Sequence, residues 1–331
     1  MSEIARRYPV TPSQIRGVTL IELMIAMLLG LMVVGGAVAM FIANKRTYTA
    51  TESLGRIQEN GRVGFEMLAR DIREADGTAC RQPQPVPAAS AYAHMLPVAN
   101  VLTSTAWWKT WGSGVVGYEN GGLAGSLAGT DAIELRSANT NAVTVSSFAA
   151  PTFTLSTANH GLVANDVVMV CDENQGTIFQ IGTPSSADVP ITGTGNCGTN
   201  LGLGGACGST AYNYSTAANG QAMMARLHAV QWYVAVNARG GNSLWQRSMG
   251  VAPVEIIDGV RDLELTYLLP GAMTYVSAAA NTPWKNVKAV RVVLELEGQQ
   301  GTNEDRLKVG TDGQGLRRQI THVVTLRNRN I

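Results

Sequence analysis

The fold turns on the stretch RGVTLIELMIAMLLGLMVVGGAVAMFIANKR, Arg16 to Arg46. From Val18 to Ala43 it runs for 26 residues with a single charge, Glu22. As a helix rising about 1.5 Å per residue, that run reaches about 39 Å, enough to cross a hydrocarbon core of about 30 Å. Arg6, Arg7 and Arg16 precede it, so the positive-inside rule keeps the N-terminus in the cytoplasm and exports the rest. A secretory signal fits poorly. Its apolar core is about 7–15 residues and closes on a small-residue cleavage site, whereas this run is longer and no such site clearly ends it. A plain membrane anchor accounts for the length and leaves Glu22 unexplained. A charge at mid-membrane costs about 2.5–3.5 kcal/mol and less near the interface, so an unpaired acid in such a segment reads as functional.

Outside this segment no apolar run is long enough for a second span of about 18 residues. The chain has 331 residues, room for one large or two small domains. Its net charge of +1 gives no broad attraction to nucleic acid. Charged residues make up 15%, against roughly 25% in an ordinary soluble protein. Gly, Ala, Ser, Thr and Asn take their place, a composition suited to an extracytoplasmic, β-rich domain with long, weakly charged loops.

Helical spacing continues beyond the apolar run, and no proline occurs between Val18 and Gln82. Leu54, Ile57, Gly61, Phe65, Leu68 and Ile72 recur at steps of three or four, the stripe of an amphipathic helix. Glu52→Arg56 and Glu66→Arg70 are pairs four apart in the favourable order. Asp76-Gly77 is a natural stop, with Gly77 expected in the left-handed cap. Residues 18–43 thus read as the membrane-crossing helix, 44–76 as its amphipathic continuation and 77–331 as the globular part.

Gly17-Val18-Thr19-Leu20-Ile21-Glu22 resembles the processing site of type IV pilins and related pseudopilins. The resemblance implies a leader of residues 1–17, cut by prepilin peptidase between Gly17 and Val18, with N-methylation of Val18. It also implies that Glu22 pairs with the N-terminal amine of a neighbouring subunit, which fits the rule that a buried acid is tolerated when an opposite charge neutralises it. Val18 stands where the family usually has Phe, and the leader is long. The segment RIQENGRVGFEMLARDIREADG resembles the PilW-type minor pilins, as do NDVVMVCDENQGTIFQI, WKNVKAVRVVLELEG and the C-terminal LRRQITHVVTLRNRN. The implied partners are other minor and major pilins, a tip adhesin and the inner membrane. The implied role is structural, in type IV pilus assembly. A type II secretion pseudopilin of the J class shares the processing site and the helix. A membrane-anchored periplasmic binding protein or enzyme would make Glu22 incidental.

Strand character marks Ala132–Arg136, Val143–Phe148, Thr152–Ser156, Val167–Cys171, Thr177–Ile181, Leu227–Asn237, Leu244–Ser248, Val260–Leu269, Val287–Glu297 and Ile320–Arg327. Alternation is cleanest at Val290, Val292, Leu294 and Leu296, with Arg291, Glu295 and Glu297 on the other face. With the long helix these predict an α+β fold, the helix lying on one face of a largely antiparallel sheet. The regions 85–130 and 183–222 read as loops. Ser185–Ala222 has eight glycines and one charge, Asp188, and Gly112–Gly129 has seven glycines. Trp107, Trp108 and Trp111 read either as core or as a contact surface.

Four cysteines allow three pairings, and disulfides are expected in an exported domain. Cys197 and Cys207 flank a short Gly-rich loop and are the favoured pair, leaving Cys80 with Cys171. No C-x-x-C is present, and no two of His94, His160, His228 and His322 lie close in sequence, so no metal site is expected. Gly193, Gly195 and Gly198 match G-x-G-x-x-G, but the next residues, TNLGLGGACGS, cannot make a good helix, so the match reads as loop. Glu304-Asp305 reads as a solvated turn. No cofactor and no catalytic residue is expected.

Overall fold

The computed structural model describes residues 17–80, 97–109, 111, 113–138, 140–191, 195–204, 207, 210–214, 221–297 and 317–329. The leader expected at 1–17, apart from Gly17, lies outside these residues, as do His94, Gly193 and Glu304-Asp305. The chain divides into two compact units, Met1–Glu52 and Ser53–Ile331. Helix α1, Leu20–Glu74, supplies residues to both.

In the first unit, Leu20, Ile21, Met27, Leu31, Met32, Val33, Met40 and Phe41 are all well exposed. An 18-residue apolar window of this helix is long and apolar enough to cross a membrane, and none of that window is buried. Thr47, Thr49 and Thr51 close the polar end by donating their hydroxyls to the carbonyls of Ala43, Lys45 and Thr47. They thereby satisfy their polar side chains on the helix itself.

In the second unit the helix buries one stripe: Ile57, Gly61, Gly64, Phe65, Leu68, Ala69 and Ile72, followed by Ala75 just past its end. Two glycines set how closely it packs. A Cβ on Gly61 would stand 2.4 Å from Leu296 Cδ1, and one on Gly64 2.4 Å from Ile257 Cδ1. Arg70 pairs with Glu74 at 3.2 Å, not with Glu66 as the spacing suggested. The helix stops at Asp76, whose φ is +63°. The left-handed cap is therefore Asp76 rather than Gly77, because a carboxylate at that position ties the helix end to the rest of the domain.

Fifteen strands lie among the described residues: β1 Val98–Asn100, β2 Val115–Tyr118, β3 Ala132–Ser137, β4 Val143–Ala149, β5 Thr152–Leu155, β6 Val167–Cys171, β7 Gly176–Gln180, β8 Asp188–Pro190, β9 Met223–Arg226, β10 His228–Val236, β11 Asn242–Ser248, β12 Val254–Asp258, β13 Val260–Leu268, β14 Ala289–Glu297 and β15 Arg317–Thr325. All ten strands expected from sequence form. The single sheet does not. Three sheets form instead, ordered β1-β7-β6-β9-β4-β5-β8, β12-β11-β10-β3-β2 and β13-β14-β15. Every strand pair is antiparallel except β1 with β7. The regions expected as loops contribute β1, β2 and β8, so 85–130 and 183–222 are not loop throughout.

The five-stranded and three-stranded sheets share one core with the stripe of α1, built on Trp232, Val230, Leu135, Tyr267, Val292 and Leu294. The seven-stranded sheet has apolar clusters of its own. Strand β6 is buried on both faces, with Val168 and Val170 in one cluster and Val167 and Met169 in another, so it reads as an unbroken apolar run. Trp107 and Trp108 form a 3-10 turn, and Trp108 and Trp111 pack half-buried against the second of these clusters.

Candidate functional site

The scissile position expected from sequence lies at the start of α1. Gly17, Val18 and Thr19 are non-helical and exposed, so the Gly17–Val18 bond sits on open chain. The helix then starts on a reciprocal cap. The Glu22 N–H donates to Thr19 Oγ1 at 3.3 Å, and Glu22 Oε2 accepts from the Thr19 N–H and hydroxyl at 3.4 Å. The bonds are long, but the pattern T-x-x-E is a capping box, in which two otherwise unpartnered backbone donors are satisfied together. The carboxylate also sits at the positive end of the helix dipole. Sequence reasoning missed this local role, although a Thr three residues before an acid at the head of an apolar run signals it. Glu22 thus has a partner within its own chain, which weakens the argument that only a neighbour can explain it. The sites Gly17, Val18 and Glu22 are adjacent by sequence alone.

In the second unit the end of α1 is the most elaborately held point. The Asp76 N–H donates to the Arg136 carbonyl at 2.8 Å, and Asp76 Oδ1 accepts from the Gly114 N–H at 3.1 Å. Arg329 Nε donates to Asp76 Oδ2 at 2.9 Å, both side chains being almost wholly buried. Arg329 also donates to the carbonyls of Val287 and Trp284. Asn328 Nδ2 reaches the Ala75 and Glu74 carbonyls at 3.2 and 3.4 Å, occupying acceptors that a helix end leaves open. A glycine could adopt the φ of residue 76 at less cost, but only an acid supplies the carboxylate, and Asp tolerates that region better than most residues.

The four cysteines are joined as Cys80–Cys171 and Cys197–Cys207, with Cα separations of 5.7 and 5.5 Å. The first ties the chain just after α1 to β6. The second closes the Gly-rich loop. That loop is anchored from beneath by Gln175 and Thr177, both of which donate to the Leu201 carbonyl and meet the Tyr214 hydroxyl. Burial pushes the Tyr214 phenol well above its usual range. Burial, with the Asp172 carboxylate that accepts the Tyr212 hydroxyl at 2.7 Å, pushes Tyr212 up to about 12.

A cleft of about 410 Å³ lies beside the second-unit part of α1, lined among others by Asp71, His160, Arg226 and His228. Its polar groups are engaged by the chain itself. Asp71 Oδ2 accepts from Trp232 Nε1 at 2.8 Å and Gln246 Nε2 at 3.0 Å. Arg226 bonds Asp166 and the Gly161 carbonyl. His160 Nδ1 accepts from the Leu162 N–H, and its Nε2 lies 3.0 Å from the Ser186 carbonyl. Among the described residues no group of three His, Cys, Asp or Glu side chains could hold a metal ion.

Residues 12–38 match the prokaryotic N-terminal methylation motif. The match supports a type IV pilin-like protein. Comparison with curated proteins and with solved structures gave no match. The motif and the one long apolar helix together fit processing by prepilin peptidase, anchoring in the inner membrane and assembly with other pilins, in a pilus or in a secretion system.

Proposed function

We propose that the chain is a minor pilin-like subunit of the PilW type, which helps start type IV pilus assembly in a tip complex with other minor pilins and there helps present an adhesin. Its work is packing rather than catalysis. The carrying observation is that the methylation motif runs directly into a helix apolar on every side. Such a surface is stable only in lipid or among other apolar helices. On this reading the peptidase cuts between Gly17 and Val18, Val18 is N-methylated, and Glu22 exchanges its local cap for the amine of a neighbour as the helix joins the filament. The exported part is periplasmic and then surface-exposed, a reading supported by its two disulfides. The motif serves a type II secretion pseudopilin equally well; the length of the chain and the PilW-like segments at 56–77 and 316–330 favour the pilus.

The test is the N-terminal sequence and mass of the protein purified from native membranes. A chain starting at N-methylated Val18 is expected. One starting at Met1 or Ser2 ends the reading. Co-purification with secretion components instead of pilins would move the subunit to the other machine.

A further inference from the structure

The second unit holds two separate apolar interiors. One is shared by α1 and the five-stranded and three-stranded sheets, and contains Leu135, Trp232, Tyr267 and Leu294. The other belongs to the seven-stranded sheet, and contains Val145, Phe153, Val168 and Phe179. Among the described residues no strand of the seven-stranded sheet pairs with a strand of the other two. The chain passes from one body to the other between α1 and β1, β1 and β2, β3 and β4, and β9 and β10. The last of these crossings is one residue, Leu227, whose N–H donates to the Val167 carbonyl at 2.9 Å.

The apolar contact at the crossings is small. Leu227 and Ala138, both at crossings, are buried against Val167, Met169 and Ile178, with Met249 half-buried beside them. Two bodies joined by a modest interface move relative to one another unless something else holds them. The cleft of about 410 Å³ lies at the same junction. Met67, Asp71 and Gln246 line it from the α1 body, and His160, Leu162 and Arg226 from the seven-stranded body.

A covalent link supplies the second hold. Beyond α1 the chain is fixed to the α1 body as far as Thr78. Arg329 clamps Asp76, the Ala138 N–H donates to the Gly77 carbonyl at 2.7 Å, and Thr78 forms a bridge with Ala138. The Thr78 hydroxyl donates to the Cys80 carbonyl at 3.3 Å, and Cys80 is joined to Cys171. Val167 and Cys171 are the first and last residues of β6. The strand is therefore held at one end by the Leu227 crossing and at the other by the disulfide, points about 13 Å apart at about 3.3 Å per residue. A body held at the first point alone can pivot about it; the second point removes that freedom.

We infer that the seven-stranded sheet is a lobe hinged on the α1 body at these crossings, and that Cys80–Cys171 is the strap that fixes its angle to α1 and with it the width of the cleft. The other disulfide, Cys197–Cys207, closes a loop within the lobe and has no part in setting that angle. The strap joins two parts of the second unit, so the inference stands whether or not the chain is cut at Gly17.

Spin-labelled noncanonical side chains are placed at two exposed positions of the full-length, detergent-solubilised protein, Glu66 on α1 and Val163 in the lobe. A second pair, Ser147 and Val163, lies within the lobe and reports its fold. The parent should give a narrow distance distribution for each pair. In the Cys80→Ser, Cys171→Ser variant the Glu66–Val163 distribution should broaden about twofold, as for a released hinge, while the Ser147–Val163 distribution stays narrow. The Cys197→Ser, Cys207→Ser variant should match the parent at Glu66–Val163. If the first variant also broadens Ser147–Val163, its lobe has lost its fold. Two glycines inserted between Ala79 and Cys80, which lengthen the strap and keep the disulfide, must then broaden Glu66–Val163 alone. An unmoved Glu66–Val163 distribution in a variant with a folded lobe, a broad one already in the parent, equal broadening from loss of Cys197–Cys207, or broadening of both pairs with the lengthened strap would each overturn the inference.

Discussion

Between Leu20 and Phe41 helix α1 exposes leucine, isoleucine, methionine and valine on every side. Between Ile57 and Ile72 it buries one side and leaves Val63 and Met67 on the other. Backbone geometry is the same in both stretches. What differs is where the apolar side chains find cover. Burying a leucine- or phenylalanine-sized side chain is worth about 1.5–3 kcal/mol. The second stretch realises that energy within the chain, on β12, β14 and β15 among others. The first realises none of it internally, and lipid or other helices must supply it. Substitutions in the second stretch and its supports should therefore act on stability, and those in the first on assembly.

The largest effect is expected at the clamp on the helix end. Arg329→Ala leaves the buried Asp76 carboxylate without its cation, a change that costs about 3–5 kcal/mol in comparable pairs. Denaturant unfolding of the detergent-solubilised protein should show it, and a loss under about 1 kcal/mol would mean that Asp76 is satisfied without Arg329. Next comes the Cys197→Ser, Cys207→Ser double variant. Opening a loop of about ten residues should cost about 2–3 kcal/mol on the chain-entropy account. The anchoring of Leu201 by Gln175 and Thr177 should keep the loss local, so thermolysin, which cuts before apolar residues such as Leu201 and Leu203, should cut the loop first while Cys80–Cys171 stays formed. Gly64→Val forces a methyl against Ile257 and should cost about 1–3 kcal/mol by overpacking. Gly35→Val, with open space around the added carbon, should leave unfolding of the second unit unchanged. Equal losses from the two glycine variants would break the contrast between the two stretches.

A smaller effect should appear with pH. Burial pushes the Asp131 carboxyl above the usual range, helped by the Glu119 and Glu264 charges and opposed by the N–H groups of Leu265 and Asn120. Its folded pKa is thus raised. The stability it contributes is full below the unfolded value of about 3.9 and falls as pH rises through the folded value. The penalty of Asp131→Ala should shrink between about pH 4 and pH 7, and a penalty that grew over that range would reverse the sign.

How much of this is legible in the sequence depends on the range of the interactions. The ten strands that alternate or run apolar are readable because period two and burial are local properties. β1, β8 and β9 have three or four residues, too short for a period to register, and β2 lies among glycines. Alternation on Val290, Val292, Leu294 and Leu296 says that one face is apolar but not what covers it, so the pattern cannot tell three sheets from one. The stripe on α1 is readable; its tight approach at Gly64 is not, because Ile257 is remote in sequence. The two disulfides are the pairs read from the loop between Cys197 and Cys207. The Asp76–Arg329 pair joins the two ends of the second unit's sequence and leaves no local trace. At the N-terminus the motif around Gly17, Val18 and Glu22 is plain, and it masks the capping box written in the same six residues.

That box makes Glu22 the position at which the contrast can be sharpened furthest with the least change. Two roles compete for its carboxylate: acceptor in the cap with Thr19, and counter-charge to the amine of a neighbouring subunit. Glutamine serves the cap as well as glutamate does but carries no charge. Alanine serves neither, and losing the acceptor costs about 1 kcal/mol at the helix end. If the cap is the whole role, Glu22→Gln should incorporate into filaments like the parent and Glu22→Ala should be modestly impaired. If neutralisation is the role, both should be processed at Gly17 and both should fail to incorporate, the glutamine variant as severely as the alanine one. Unfolding of the second unit should be the same in all three proteins, because the Glu22 carboxylate bonds within its own helix cap. Quantifying processed and filament-borne protein in parallel separates the cases, and the glutamine variant alone decides between them.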